Sequence, residues 1–374
     1  MSTTTRRTLI FHIGDHKTGS TSIQTVFAGD RVRFKSGRAY FSAKLSHNWL
    51  KEHCNAYGAE NRRGAKANAE KVFRNIAADI QRANAEFCLI SAESLEGVPA
   101  HVLKDIIDRF FSDTADDIRV VAYVRPHAGR FTSGFTERTK TGLPNALSSD
   151  LDRLFDIVME NGTFLYAPRF LSWRAQFGDR FILRPMIRDQ LYQGSVVEDF
   201  ILHAFGTKDF TVVGEAGANE SLCLEDLMRL KALQSYILKS SDPRLRHAIG
   251  WEFSRVVNQM QPPETPTKLR LHKSLAEKIY AAYLDDAREM DREFFEGAPL
   301  LAGDLERTVE TAIPRAQSTE PADHLSQSEM RSLEVFSRII AGLLESEETN
   351  WPAFLRSKRI RDIKKTRIAA KAAQ

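Results

Sequence analysis

Nine consecutive residues, Gly14-Asp15-His16-Lys17-Thr18-Gly19-Ser20-Thr21-Ser22, bring together two glycines, one lysine and four hydroxyl side chains. The apolar run Leu9-Ile10-Phe11-His12-Ile13 precedes them, and an amphipathic pattern follows from Ser20. A strand that breaks into such a turn and then enters a helix makes an anion cradle. The first amides of a helix lack intrahelical partners and carry the positive end of its dipole. Lys17 adds a full charge, and Thr18, Ser20, Thr21 and Ser22 add hydroxyl donors. The loop of nucleotide triphosphatases places its lysine after the second glycine of G-x-x-x-x-G-K-[ST]. Here Lys17 precedes Gly19, so the phosphate chemistry is of another kind.

Two further places match this chemistry. The β-branched run Ile118–Val124 ends in Arg125-Pro126, with Ser133 eight residues after the arginine. An arginine at a strand's carboxyl end forks onto phosphate oxygens, and a serine two helical turns later adds a neutral donor. The short strand pattern Phe87–Ser91 is followed by Glu93. In open α/β sheets ligands sit outside the carboxyl ends of the strands, so Glu93 is expected to face the same crevice as Lys17 and Arg125. Glu93 and His16 are both candidate proton acceptors: the imidazole titrates near neutrality, whereas a carboxylate needs tuning by burial or neighbours. A capping role for Ser91 or Glu93 stands beside the catalytic one.

The run Gly14-x-x-Lys17-Thr18-Gly19-Ser20-Thr21 resembles the 5′-phosphosulfate loop of sulfotransferases that use PAPS (3′-phosphoadenosine 5′-phosphosulfate), usually written PKTGTT or PKSGTT. His16 replaces the proline and Ser20 the second threonine. The resemblance covers about residues 8–225. It implies a three-layer P-loop-like α/β fold with a mostly parallel central sheet, plus a helical C-terminal region. It further implies that Lys17 to Ser22 hold the phosphosulfate, that Arg125 and Ser133 hold the 3′-phosphate, and that Glu93 is a catalytic base. Lys17 would lie near the oxygen bridging phosphorus and sulfur. PAPS is then the cosubstrate, PAP (the 3′,5′-bisphosphate) the product, and no metal is required. Pro126 directly after the arginine departs from many members, and the glycine-rich RKG-type segment of cytosolic sulfotransferases is missing. A magnesium-dependent nucleotide kinase and a non-catalytic nucleotide-binding module are the alternative readings.

Composition sets outer bounds. A chain of 374 residues, 42% hydrophobic and 27% charged, can bury a large core. A net charge of +4 makes no general demand for nucleic acid. Three cysteines outside any C-x-x-C pattern suggest a reducing compartment. No stretch has the apolar length of a membrane span, and the expected location is the cytoplasm.

The hydrophobic rhythm predicts strand and helix over residues 9 to about 28, a helix over 69–83, a strand at 87–91, a helix near 99–111 and a strand at 118–124. A helix face through Tyr166, Phe170, Trp173 and Phe177 is stopped by Gly178, and a strand follows at 180–185. Residues 195 to about 206, 220–240 and 272–295 are helical by pattern. The expected organisation is one α/β domain over 1–310, a polar linker over 311–327, and a C-terminal part over 328–374. The last contains an amphipathic helix with Leu333, Phe336, Ile340 and Leu344 on one side. From Arg356 to Lys371 eight basic residues face one acid, Asp362, a composition suited to a solvated tail or to peripheral contact with an anionic inner membrane surface. That tail and the polar segment 29–68 are compatible with a hydroxyl acceptor of the saccharide or glycolipid class, with a small alcohol or phenol as the alternative and an amine as the other acceptor type.

Overall fold

The computed structural model describes residues 6–59, 63–162, 164–214, 222–237, 243–344 and 349–372. They form two compact units. The first comprises residues 1–126, 166–218 and 360–374, the second 127–165 and 219–359.

In the first unit the strands, in chain order, are β1 (Thr8–Gly14), β2 (Val32–Phe34), β3 (Ala39–Phe41), β4 (Phe87–Ser91), β5 (Asp117–Val124), β6 (Phe181–Pro185) and β7 (Phe210–Val212). Five of them make a parallel sheet in the order β3-β4-β1-β5-β6, and β2 pairs antiparallel with β7. β1 is central because it is apolar on both faces: Leu9, Ile10, Phe11 and Ile13 are all buried. The helix Ser20–Ala28 packs Ile23, Val26 and Phe27 onto the sheet together with Phe200, Ile201 and Phe205 of the helix Val196–Phe205. Asp199 on the latter helix is fully buried, accepts from Tyr123 Oη at 2.6 Å and pairs with Arg184 at 3.0 Å, tying that helix to β5 and β6. Burial opposes its ionisation, yet Arg184, Tyr123 and the Tyr192 amide together hold its carboxyl below the ordinary range.

From the carboxyl end of β1 the chain travels out to β3, and from that of adjacent β5 it travels the other way, to β6. The sheet therefore has its topological switch point between β1 and β5, the place where open α/β sheets bind ligands.

The second unit is helical. Its helices are His127–Lys140, Pro144–Leu147, Leu151–Glu160, Leu224–Ile237, Pro243–Val257, Lys273–Phe294, Leu300–Thr311 and Gln327–Leu344. Gly250 is required there: a Cβ on it would sit 1.7 Å from the Lys140 carbonyl oxygen, so two helices meet backbone to backbone. Lys231 is buried and donates to the carbonyls of Ser149 (3.2 Å) and Thr319 (2.7 Å). Thr319 and Leu325 are buried, so the segment that composition reads as linker is packed against its unit. The helix Gln327–Leu344 packs through Ser337 and Ile340, whereas Phe336 is 63% exposed. Phe336 lies 100° round the helix from Ser337, which takes it off the packed face expected for it.

The C-terminal helix is Trp351–Ala372. Lys358 pairs with Glu252 at 2.7 Å, the Arg359 guanidinium lies 4.3 Å from the Trp251 ring centre, and Ile363 is buried. The basic run is thus partly spent on packing. Among the described residues no helix is long and apolar enough to cross a membrane.

Candidate functional site

β1 ends at Gly14, whose φ of +96° and close approach both require glycine: a Cβ would lie 3.1 Å from the Glu93 backbone. This contact brings Glu93 beside the loop. The Asp15 amide donates to the Tyr123 carbonyl at 3.0 Å, and Thr18 Oγ1 donates to the Asp15 carbonyl at 2.5 Å. Lys17 (φ +68°) and Gly19 (φ +82°) flank Thr18 in left-handed conformations. For lysine that conformation costs on the order of 1 kcal/mol. Turns of this type direct successive amides into one concavity, an anion nest.

Gly19 is the N-cap of the helix Ser20–Ala28 and supplies no side-chain cap, while its carbonyl accepts from the Ser22 (2.9 Å) and Ile23 (3.3 Å) amides. A Cβ on Gly19 would meet Val196 at 2.8 Å, which seats the loop on the helix Val196–Phe205. Across the switch point, Arg125 Nη1 donates to the Lys17 carbonyl at 3.2 Å, and Tyr166 Oη donates to the Arg125 carbonyl at 2.9 Å. Thr18 and Ser20 are buried, while Lys17, Thr21 and Ser22 are half-buried.

His16 stands between two carboxylates. Its Nδ1 is 3.8 Å from Glu93 Oε2, and its Nε2 is 3.4 Å from Glu96 Oε1. Asn48 Nδ2 reaches Glu93 Oε1 at 3.5 Å. The two candidate proton acceptors therefore lie in one polar cluster, 3.8 Å apart.

Neither a family model nor a curated protein matches the chain.

The first unit brings Lys17, Thr18, Gly19, Ser20, Thr21, Ser22, His16, Glu93 and Arg125 around the ends of β1, β4 and β5. Ser133 belongs to the second unit, on the helix His127–Lys140 that directly follows Arg125-Pro126, and its Oγ donates to the Arg130 carbonyl at 3.2 Å.

Sequence reasoning overlooks three participants. Arg169 bonds Asp15 Oδ2 at 2.6 Å and Glu96 Oε2 at 3.3 Å, with its guanidinium 4.5 Å from the Phe170 ring centre. Burial alone would depress its pKa, but Asp15 and Glu96 outweigh that and raise it. Glu96 was visible as the second acid of Glu93-Ser94-Leu95-Glu96, one turn on. The pairing of Arg169 with Asp15, 154 residues earlier, leaves no local signal.

Arg169→Gln removes the guanidinium that pairs with the buried Asp15 carboxylate. The expected cost is ~2 kcal/mol, measured as a lower denaturant midpoint. An unchanged midpoint would mean the pair does not hold the loop.

Proposed function

We propose that this chain is a PAPS-dependent sulfotransferase with a P-loop-like core, moving a sulfuryl group to a hydroxyl of a saccharide or glycolipid acceptor in the cytoplasm. One observation carries the reading. The loop at the end of β1 and the arginine at the end of β5 flank the switch point, joined by the Arg125 to Lys17 hydrogen bond.

In this reading the amides of residues 17–21 and the Lys17 ammonium bind the 5′-phosphosulfate. As the S–O bond to the bridging oxygen breaks, negative charge grows on that oxygen, and a fixed ammonium favours the transition state over the ground state. The acceptor oxygen forms the new bond to sulfur, and its proton passes to Glu93. His16 and Asn48 hold that carboxylate in place. PAP leaves as the other product. Arg125 selects the 3′-phosphate and so orients the sulfuryl group for in-line attack.

The test is calorimetric titration with PAP beside AMP and magnesium-free ATP. PAP is expected to bind best, and Arg125→Ala is expected to weaken PAP by roughly ten- to a hundredfold, the worth of a charged hydrogen bond to phosphate. Equal affinity for PAP and AMP would remove the 3′-phosphate assignment.

A further inference from the structure

Arg138, in the second unit, has a setting that the nucleotide reading does not use. Its guanidinium is half-buried, lies across the helix His127–Lys140 and borders a cavity of about 200 Å³ lined also by Asn145, Leu154, Ile157, Val158 and Asn161. The helix is shaped for this. Gly134, one turn earlier, is buried, and a Cβ there would stand 2.9 Å from Arg138 Nη1. A glycine inside a helix costs about 1 kcal/mol relative to alanine, and here its missing side chain is the space the guanidinium occupies.

The guanidinium makes no hydrogen bond or ion pair with any other described residue. Burial and the like charge of Arg130 both push its pKa down, and no carboxylate counters them. A half-buried cation in that state is costly unless an anion joins it. Asn145 contributes a second unmet demand: its side-chain Oδ1 is buried without a hydrogen-bond partner. An amide's oxygen and nitrogen are interchangeable by a flip, so the same group can present two N–H donors to the cavity.

We infer that this cavity is an oxyanion site, taking a phosphate or sulfate group on the Arg138 fork with the Asn145 amide beside it. Arginine matches such groups with two parallel N–H donors, which a lysine cannot reproduce. Leu154 and Val158, both buried, with Ile157, form an apolar wall against which the body of a larger ligand can lie. The anion is either the free inorganic ion or the ester head of such a ligand. The inference is independent of the nucleotide reading.

The test follows thermal stability of the full chain in sulfate and in phosphate against chloride at equal ionic strength. Ligand-specific stabilisation yields an apparent affinity. Because the loop of residues 14–19 also binds oxyanions on our reading, the titration uses the Lys17→Ala background, to which Arg138→Gln is added. If the loop reading fails, Lys17→Ala behaves like the parent and the Arg138 effect is still read.

The expected result is at least a tenfold loss of sulfate and phosphate affinity in Arg138→Gln, with stability in chloride equal to or above that of the parent. Arg138→Lys, which keeps the charge and loses the fork, is expected to lose severalfold and keeps the test decisive should the glutamine variant not fold. Unchanged affinity in either variant, or an equal loss of stability in sulfate and chloride, overturns the site. Phenyl sulfate and phenyl phosphate form the second arm: tighter binding than the inorganic ions assigns the site to the head of a larger ligand, and equal binding assigns it to the free ion.

Discussion

Glu93→Gln is expected to lower sulfuryl transfer by two orders of magnitude or more while PAP affinity stays within about twofold, the usual range for loss of a positioned general base. The substitution preserves size and the contact with Asn48 but removes the carboxylate that, on the proposed reading, accepts the incoming hydroxyl's proton. PAP released from PAPS over a panel of monosaccharide and phenol acceptors gives the rate, and calorimetry gives the affinity. His16 makes the comparison informative, since it touches Glu93 on one ring nitrogen and Glu96 on the other. Full turnover in Glu93→Gln together with its loss in His16→Asn would transfer the role to the imidazole. Partial losses in both would mean that the two groups share the role. Loss of PAP binding in Glu93→Gln would instead make the residue a support of the loop.

The central sheet was legible because β1, β4 and β5 are apolar runs bounded by polar turns, a pattern that local sequence carries by itself. The boundaries Phe87–Ser91 and the stop at Gly178 came out as read. The edge strand β3 was not legible, for Ala39–Phe41 is three residues long and half-buried, too short to show a period. The helices Leu50–Gly58, Leu151–Glu160, Pro243–Val257 and Leu300–Thr311 were also missed. Leu151–Glu160 has a strong apolar face and the N-cap Asp150, so its signal was present in the sequence. For the candidate site, Lys17, Arg125 and Glu93 were found because each sits just past a strand end. Arg169 was hidden inside an aromatic helix face whose other members are core. Its role exists only once the fold brings it to Asp15. The division into two units was equally unreadable, since the second is assembled from segments on both sides of residues 166–218.

The first unit should lose stability steeply as pH falls from about 6.5 towards 4, well before most carboxylates titrate. Two histidines cause this. His12 and His47 are buried, and burial lowers their pKa values to about 3 and about 4. The network fixes the neutral forms: His47 Nδ1 accepts from the Ser91 amide at 3.2 Å while Nε2 bonds Ser42 Oγ at 2.8 Å, and His12 Nδ1 bonds Ser91 Oγ at 2.8 Å. His12 Nε2 is buried with no partner among the described residues, close to the rings of Phe200 and Tyr123, so a proton added there meets no acceptor. In the unfolded chain both imidazoles take up protons below about 6.5. Between that value and their folded values the unfolded state binds more protons, so stability falls as pH falls, by about 1.4 kcal/mol per pH unit for each group and about 2.7 for the two together. Against a total of roughly 5 to 15 kcal/mol for a domain, two pH units consume much of the margin. Hydrogen exchange in peptides covering residues 8–14 and 87–91, corrected for intrinsic rates, reads this at the two strands concerned. His12→Leu should halve the slope and leave Ser91 bonded to Gln24 Nε2 (3.1 Å). Flat protection between pH 6.5 and 5 would mean that burial does not hold these imidazoles neutral in the folded state.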